Sequence, residues 1–306
     1  MNDVTPEISV VIPVYNAQSC IEKLIETLQQ NLKNYSYEII LVDDNSLDNT
    51  WQLIKVLKQQ HSFIKAFRLS RNYGQQKATF CGLTNAVGNI VITMDDDLSH
   101  PIDKLPELIN VFKSAQTDMM YVTPSKYHYP WYRKLLSSIY KRISQYENPD
   151  AGKGSSFRIM SQELATSITE HASHLIVIDE IILWYTQKIN AVYHDFYPSQ
   201  KRSSTYTYSG LFGLSKTTLM ISTTMPLVIV KTLGLSVAIG SFLMGIIYLV
   251  KKFVFHYAEK GYTSIIVSIL FGVGLILLSL GIIGEYIAYI LMGIHKKPPY
   301  HIKEKL

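Results

Sequence analysis

Cysteine is scarce in this sequence. Cys20 and Cys81 are the only two among 306 residues, and they stand far apart. A disulfide framework needs several cysteines, and a zinc knuckle needs closely spaced Cys or His ligands. The sequence favours neither kind of site, so its chemistry has to come from other side chains.

Glycine is missing from the first loop that follows an apolar strand, PVYNAQ (13–18). A dinucleotide-binding fold carries G-x-G-x-x-G at this point, so that fingerprint is excluded. The segment DAGKGSSF (150–157) imitates a phosphate loop, but Glu147 stands where its first glycine belongs and Gly154 where its Ser or Thr belongs. Without a glycine cradle, we expect an acidic crevice to bind phosphates through a divalent cation.

Charge is missing from two long segments in the last third of the chain. The segments Thr232–Val250 and Tyr262–Gly284 contain no charged residue. At about 1.5 Å per residue, each is long enough for the hydrocarbon core of about 30 Å. They predict a transmembrane hairpin of two helices, and the alternative is a pair of helices buried in a soluble core.

The charges around these two segments predict an orientation. Three lysines lie between them, whereas more basic residues flank them on the outside, among them Lys201, Arg202, Lys216, Lys296, Lys297, Lys303 and Lys305. By the positive-inside rule, we expect an integral protein of the cytoplasmic membrane with its catalytic part and both termini in the cytoplasm. The N-terminus has no basic stretch before its apolar run, so we expect no signal peptide.

The partners follow from the same charges. A net charge of +5 suits a protein lying against anionic lipid. Basic and aromatic residues do not interleave in a way that would indicate nucleic acid. Small residues such as Ser236 and Gly240 allow helices to pack in the membrane, which leaves a homo-oligomer open.

Before these segments, the chain alternates apolar strands and helical patterns from Ile8 to Met94. A βαβαβαβ series predicts a mostly parallel sheet with helices on both faces. Three strands end in polar or acidic loops, PVYNAQ, VDDNSLDNT and MDDDLSHP. Because loops at the carboxyl ends of parallel strands form the ligand site, we expect the carboxylates to converge on one crevice. For the three successive aspartates, a solvated turn is the alternative.

The ordered set SVVIPVYN, LVDDNSLDNT, SRNYGQQKA and ITMDDDLSHP resembles the GT-A inverting glycosyltransferases of family 2, which have a Rossmann-like sheet. More narrowly, it resembles the polyprenyl-phosphate glycosyltransferases, such as dolichol-phosphate mannose synthase and the undecaprenyl-phosphate glucosyl and aminoarabinose transferases. The segments WYRKLLSS, SSFRIM and GEYIAYI extend the resemblance over nearly the whole chain.

The resemblance implies four parts of the chain. Residues 1–210 would form the cytoplasmic GT-A domain, and residues 211–224 an interfacial amphipathic helix that passes the acceptor headgroup to the crevice, with a plain linker as the alternative. Residues 225–294 would hold both transmembrane helices, and residues 295–306 a basic cytoplasmic tail.

The resemblance also implies a donor site. Asp95 and Asp97 fit the family's Asp-x-Asp, with Asp97 nearest a Mg²⁺ or Mn²⁺ ion, and Asp97 and Arg158 would be the catalytic residues. For Asp43 and Asp44, an Asx turn followed by a helix cap is the alternative. The full set of implied donor-binding residues is Pro13, Tyr15, Asp43, Asp44, Arg71, Lys77, Asp95 and Asp96.

The implied acceptor site is basic. Arg158 matches the family's phosphate-binding arginine. The other implied acceptor contacts are Arg133, Lys134, Arg202, Ser204 and Tyr206. The sequence departs from the family pattern at Ser99, where Gln is usual, and at Thr205, where Lys is usual. Asp179 and Glu180 stand where some relatives keep a base, and plain carboxylates at a helix start are the alternative.

The resemblance therefore implies transfer of a sugar from a nucleotide-diphosphate donor to a polyprenyl phosphate, with inversion at the anomeric carbon. A processive polysaccharide synthase is one alternative, but the Gln-x-x-Arg-Trp motif of those enzymes is missing from LWYTQKIN (183–190). A catalytically silent membrane scaffold is the other.

Overall fold

The computed structural model describes residues 5–125, 154–170, 177–199, 261–294 and 298–306, with isolated positions between 230 and 247. Within these residues, eight strands form one sheet: β1 Ile8–Val14, β2 Tyr37–Asp43, β3 Ile64–Leu69, β4 Ile90–Thr93, β5 Met119–Pro124, β6 Arg158–Ser161, β7 Ile189–His194 and β8 Ile302–Lys305. The helices are α1 Ile21–Leu32, α2 Thr50–Gln60, α3 Gln75–Thr84, α4 Leu105–Ser114, α5 Gln162–Glu170, α6 Ile178–Tyr185 and α7 Tyr262–Ile294, with a short 3₁₀ turn at Ile102–Lys104.

The sheet is mixed, with the strand order β7-β5-β6-β4-β1-β2-β3-β8. Strand β1 pairs parallel with β2 and β4, β2 pairs parallel with β3, and β5 pairs parallel with β7. Strand β6 runs antiparallel to β4 and β5, and β8 runs antiparallel to β3. The predicted parallel pairing of β1 to β4 is confirmed. The two antiparallel strands, β6 and β8, were not predicted.

Helices cover both faces of the sheet, as predicted. Alternate residues of β1 point to opposite sides, so Ile12 packs with α1, α2 and α4 while Val11 packs with α3, α5 and α6. The helical spacing read from the sequence matches the buried face of α1, formed by Ile21, Leu24, Ile25, Leu28 and Leu32. Two apolar layers therefore cover the sheet, one on each face.

The C-terminal residues return to the sheet. The amide of Leu306 donates to the carbonyl of Ala66 at 2.9 Å, and the amide of Ser70 donates to the carbonyl of His301 at 2.9 Å. The chain divides into two compact units, one formed by Met1–Tyr208 with Lys296–Leu306 and the other by Ser209–His295. The sequence predicted only a basic tail after residue 295, and the structure makes its end the edge strand β8.

Helix α7 carries the second uncharged segment. Its stretch Phe271–Ala288 has a mean hydropathy of 1.9, none of it is buried, and by length and composition it could cross a membrane. It is the one such helix among the described residues. About half of the first uncharged segment and all of residues 211–224 lie outside them. The two-helix hairpin therefore stays a prediction.

Candidate active site at the carboxyl edge of the sheet

Three loops meet where β1, β2 and β4 end. The pairing of β1 with β2 and with β4 places these ends side by side. Each loop turns through one left-handed residue, Asn16 (φ 52°), Asn45 (φ 59°) and Leu98 (φ 60°). Asparagine tolerates this conformation, but for leucine it costs about 1 kcal/mol or more. A strained residue therefore follows directly after the aspartate run.

The loop after β1 is held from both sides. The amide of Tyr15 donates to Asp96 Oδ2 at 3.0 Å, and the amide of Asn16 donates to Ser46 Oγ at 2.9 Å. Asp96 is buried. The predicted convergence of the acidic loops is confirmed, and Asp96 uses its carboxylate to fix the loop that carries Tyr15. Direct donor contact by Asp96 stays a prediction.

Asp95 is held by a set of polar side chains. Its Oδ2 accepts the Ser156 hydroxyl at 2.6 Å and lies 3.5 Å from His100 Nε2, while its Oδ1 accepts the Gln75 amide. Burial alone would raise the pKa of Asp95, but the hydrogen bond and charge of His100, followed by Ser156 and Arg158, hold that pKa below its usual value. Asp95 is therefore an ionised, fixed carboxylate at neutral pH.

Asp97 is less constrained. Its Oδ1 accepts the amide of Ser99 at 3.0 Å, and Asp97 is half-buried. Within the described residues, this is its only hydrogen bond. Asp97 is therefore the member of the run best placed to take a ligand, which agrees with the role predicted for it. The backbone of Ser99, where glutamine is usual, thus orients Asp97.

The carboxylates of Asp95 and Asp97 are hard oxygen ligands of the kind that Mg²⁺ and Mn²⁺ prefer. In the described part of the chain, no three His, Cys, Asp or Glu side chains come together as a metal cluster. Magnesium is commonly bound by one or two carboxylates plus waters and substrate phosphates rather than by an all-protein cage. The two side chains fit that kind of binding.

The two aspartates after β2 have structural partners. Asp43 Oδ1 accepts the Ser46 amide at 3.1 Å, which is the Asx turn named as the alternative. Asp44 accepts the amides of Tyr73 and Gly74, both at 2.7 Å, and so fixes the turn that leads into α3. Gly74 has φ 90°, a conformation that favours glycine. Burial, the largest cause, raises the pKa of Asp44 to about 6 against these two hydrogen bonds.

The second oxygen of Asp43 faces a cation. The residue is fully buried, and its Oδ2 lies 3.2 Å from Arg68 Nε. The angles are poor for a hydrogen bond, so neither atom has a hydrogen-bond partner among the described residues. Burial, the largest cause, raises the pKa of Asp43. The nearby Arg68 guanidinium offsets part of the cost of burying this carboxylate. The donor contact predicted for Asp43 stays a prediction.

The other predicted donor-binding residues surround the same loops. Pro13 lies buried near the end of β1, and the Arg71 guanidinium sits 4.7 Å from the centre of the Tyr73 ring. Lys77 lies in the first turn of α3, where burial, followed by the charge of Arg71, lowers its pKa. Two cations thus stand beside the Tyr73–Gly74 turn that Asp44 holds.

Arg158 lies on β6 and is almost completely buried. Its Nε donates to Asp179 Oδ1 and its Nη2 to Asp179 Oδ2, both at 2.9 Å. Its Nη1 donates to Thr93 Oγ1 at 3.3 Å, and the Tyr121 hydroxyl donates to Asp179 Oδ1 at 2.9 Å. Asp179 therefore serves as the partner of Arg158. The phosphate contact predicted for Arg158 stays a prediction.

The remaining predicted acceptor residues, Arg133, Lys134, Arg202, Ser204 and Tyr206, lie outside the described residues. Sequence reasoning also missed residues that the structure places in the site. His100 is stacked on Phe157 with ring centres 4.8 Å apart, and it faces Asp95 together with Ser156. In the sequence, only their places next to recognised motifs could have indicated them. His100 lies near the end of the acidic motif, and Ser156 lies two residues before Arg158.

Comparisons with known proteins agree with this geometry. The family model "Glycosyl transferase family 2" matches residues 9–168. The chain is similar to the prophage bactoprenol glucosyl transferase homolog of Escherichia coli (strain K12), with 30% identity over 97% of this chain and 98% of that protein. It is also similar to the bactoprenol glucosyl transferase of Shigella phage SfV, with 30% identity over 98% of this chain and 99% of the relative.

Among solved structures, the chain is similar to glucosyl-3-phosphoglycerate synthase from Mycobacterium tuberculosis, crystallised with Mn²⁺, UDP-glucose and phosphoglyceric acid. The TM-score is 0.53 at 18% identity, covering 69% of this chain and 76% of the other. At this identity, the likeness concerns the fold.

Proposed function

Because the chain belongs to glycosyl transferase family 2, we propose that it transfers one sugar from a nucleotide-diphosphate donor to a polyprenyl phosphate, with inversion at the anomeric carbon. The observation that carries the proposal is the end of β4. There, Asp95 is fixed by Ser156, His100 and Gln75, and Asp97 is left to face a ligand.

The acceptor is inferred from the relatives and from the apolar helix. The bactoprenol glucosyl transferases match this chain over nearly its whole length, including the C-terminal third. A polyprenyl phosphate keeps its tail in the bilayer and its phosphate at the interface. An enzyme that uses it benefits from an anchor such as α7, whose apolar stretch is exposed.

The path of the chain supports an even number of membrane crossings. Residues 296–306 belong to the same compact unit as residues 1–208, because β8 pairs with β3. If α7 crosses the bilayer, the chain must cross it a second time between residues 209 and 261 to return to that unit. This supports the two-helix hairpin, with residues 232–250 as the other crossing and both termini in the cytoplasm.

The donor would lie across the three loops. Pro13, Tyr15, Asp43 and Asp44 would line the pocket for the nucleotide base and ribose. Arg71 and Lys77 would lie near the diphosphate. A divalent cation held by Asp97, with Asp95 beside it, would supply positive charge against the diphosphate. Comparing transfer rates with Mg²⁺ and with Mn²⁺ identifies the ion that the enzyme prefers.

The acceptor needs no strong general base. A phosphate monoester is already anionic at neutral pH, so its oxygen can attack the anomeric carbon directly. The protein has to offset the repulsion between the acceptor and donor phosphates. We assign this to Arg158, with Arg133, Lys134, Arg202, Ser204 and Tyr206 as acceptor contacts. Asp179 orients Arg158, since both oxygens of its carboxylate bind one edge of that guanidinium.

The size of the product tests the proposal. The full-length protein in detergent would be incubated with undecaprenyl phosphate and a panel of nucleotide sugars, beginning with UDP-glucose because the relatives are named glucosyl transferases. We expect mass spectrometry to find the lipid phosphate with one added sugar. A long polymer would indicate a polysaccharide synthase, and no product with any donor would indicate a silent scaffold.

A further inference from the structure

The turn that leads into α3 is held by one buried carboxylate. Asp44 is 3% exposed, and its Oδ1 and Oδ2 accept the backbone amides of Tyr73 and Gly74, each at 2.7 Å. Hydrogen bonds from amides to an ionised carboxylate are among the strong ones in proteins. Because almost none of its surface is exposed, the Asp44 carboxylate acts mainly on this turn and has little surface left for direct contact with a ligand.

Gly74 gives the turn a backbone conformation that other residues adopt only with strain. Its φ is 90°, and a Cβ built on Gly74 would have no atom within 4 Å beyond its neighbours in the chain. The glycine is therefore needed for its backbone angle and not for space. The side chain of Asn72 also accepts the Gly74 amide, at 3.1 Å. Asp44 and Asn72 together hold the backbone at Gly74 in this conformation.

The turn has a cation on each side. The Arg71 guanidinium lies 4.7 Å from the centre of the Tyr73 ring, and the amide of Lys77 donates to the Gly74 carbonyl at 3.1 Å. Within the described residues, neither cation forms an ion pair with a carboxylate. Burial, followed by the charge of Arg71, lowers the pKa of Lys77, and the charge of Asp44 opposes this. An anion bound between the two cations would stabilise both.

We propose that Asp44 is a positioning residue for the donor's diphosphate. By holding the Tyr73–Gly74 turn, Asp44 places Arg71 and Lys77 where both bind the diphosphate, and its carboxylate makes no hydrogen bond to the base. The inference rests on the proposed function, in which these two cations lie near the diphosphate. It gives Asp44, which borders the pocket for the base and ribose, a role that acts through the backbone.

Binding of a nucleoside and of its diphosphate separates this role from direct contact with the base. UDP, GDP and ADP are first titrated against the full-length wild type at about pH 8, above the pKa of about 6 of Asp44, to find the preferred base. Asp44→Asn offers one acceptor to two amides, so we expect Kd for that diphosphate to rise about fivefold. Kd for the nucleoside of the same base should stay unchanged. Gly74→Ala strains the same turn without touching Asp44, and it should give the same pattern.

Three further variants separate the possible failures. Asp195→Asn, at an exposed carboxylate, is the control and should bind both ligands like the wild type. Arg71→Gln and Lys77→Gln test the cations themselves, and if neither weakens diphosphate binding, the proposed donor site is wrong. If they weaken it, the positioning role is wrong when Asp44→Asn or Gly74→Ala binds the diphosphate like the wild type, or loses affinity for the nucleoside as well. Gly74→Ala decides alone if Asp44→Asn does not fold.

Discussion

Asp179 forms a two-point pair with one edge of the Arg158 guanidinium, with Nε–Oδ1 and Nη2–Oδ2 distances of 2.9 Å. Arg158 is 3% exposed, so without such a partner its charge would be costly to bury. Gly154 makes room for this pair, because a Cβ there would lie 2.9 Å from the Asp179 carboxylate. The pair links β6 to the start of α6 beside the aspartates of β4.

Loss of this partner should cost stability. Asp179→Ala leaves a buried guanidinium unpaired and is expected to lower the free energy of unfolding by about 2 to 3 kcal/mol, less than for a wholly buried pair because the Asp179 side chain is 31% exposed. Urea unfolding of the two proteins measures the difference. Asp195→Asn, at an exposed carboxylate, is the control and should change little. An unchanged midpoint for Asp179→Ala would mean that Arg158 is stabilised elsewhere.

Arg158→Lys separates a phosphate-binding role from a packing role. Lysine keeps the charge but loses the planar fork, so kcat per folded molecule should fall about tenfold, which corresponds to about 1.4 kcal/mol in the barrier. Steady-state kinetics on protein quantified by its folded fraction measures this change. If only the melting temperature falls while kcat stays normal, Arg158 serves the Asp179 pair alone.

The middle aspartate of the run should act through the loop that it holds. Asp96→Ala leaves the Tyr15 amide without its acceptor, and we expect a stability loss of about 1 to 3 kcal/mol. Its effect on transfer should be much smaller than that of Asp97→Asn, since Asp96 is turned to the backbone. Thermal unfolding and initial rates of both variants provide the comparison. Equal losses of transfer would give Asp96 a direct role in the reaction.

Asp44 should make stability depend on pH. Its pKa is about 6 in the folded protein and about 3.9 in an unfolded chain, so the folded state binds more protons between these values. The contribution of Asp44 to stability therefore grows as pH falls from about 6 to about 4, and is lost as pH rises through about 6. Relative to Asp44→Asn, the wild type should gain about 2 to 3 kcal/mol between pH 7 and pH 4. Urea unfolding of both proteins at pH 7 and pH 4 measures this gain. If the difference in midpoint between the wild type and Asp44→Asn is the same at both pH values, the pKa of Asp44 is not raised.

The sequence predicted the features that depend on neighbours along the chain. Strands β1 to β4 follow from local periodicity, and the acidic loops follow from where buried strands stop. The pairing of Glu304 with Arg68 joins residues separated by most of the chain, and it depends on a four-residue strand too short to give a clear pattern. His100 was missed for the same reason, because only the folded chain brings it against Phe157 and Asp95.

For Asp43 and Asp44, the resemblance implies donor binding, while the structure shows hydrogen bonds to backbone amides. The Asx turn named as an alternative is present through the amide of Ser46, and Asp44 accepts the amides of Tyr73 and Gly74 just before α3. These uses leave Asp43 Oδ2 as the one buried acceptor of the pair without a hydrogen-bond partner among the described residues. A position in the sequence cannot show which of four carboxylate oxygens is already occupied.

Formation of lipid-linked sugar by matched amounts of full-length wild type and Asp97→Asn is the most direct measurement of the proposed reaction. The wild type should convert undecaprenyl phosphate with Mn²⁺ or Mg²⁺ present and stop in a chelator, and Asp97→Asn should lose about 100-fold or more under all conditions. Retained binding of the donor's nucleoside diphosphate by Asp97→Asn would show that the site is still folded. Full transfer by the wild type in the chelator, or by Asp97→Asn, would contradict a reaction built on the aspartates at the end of β4.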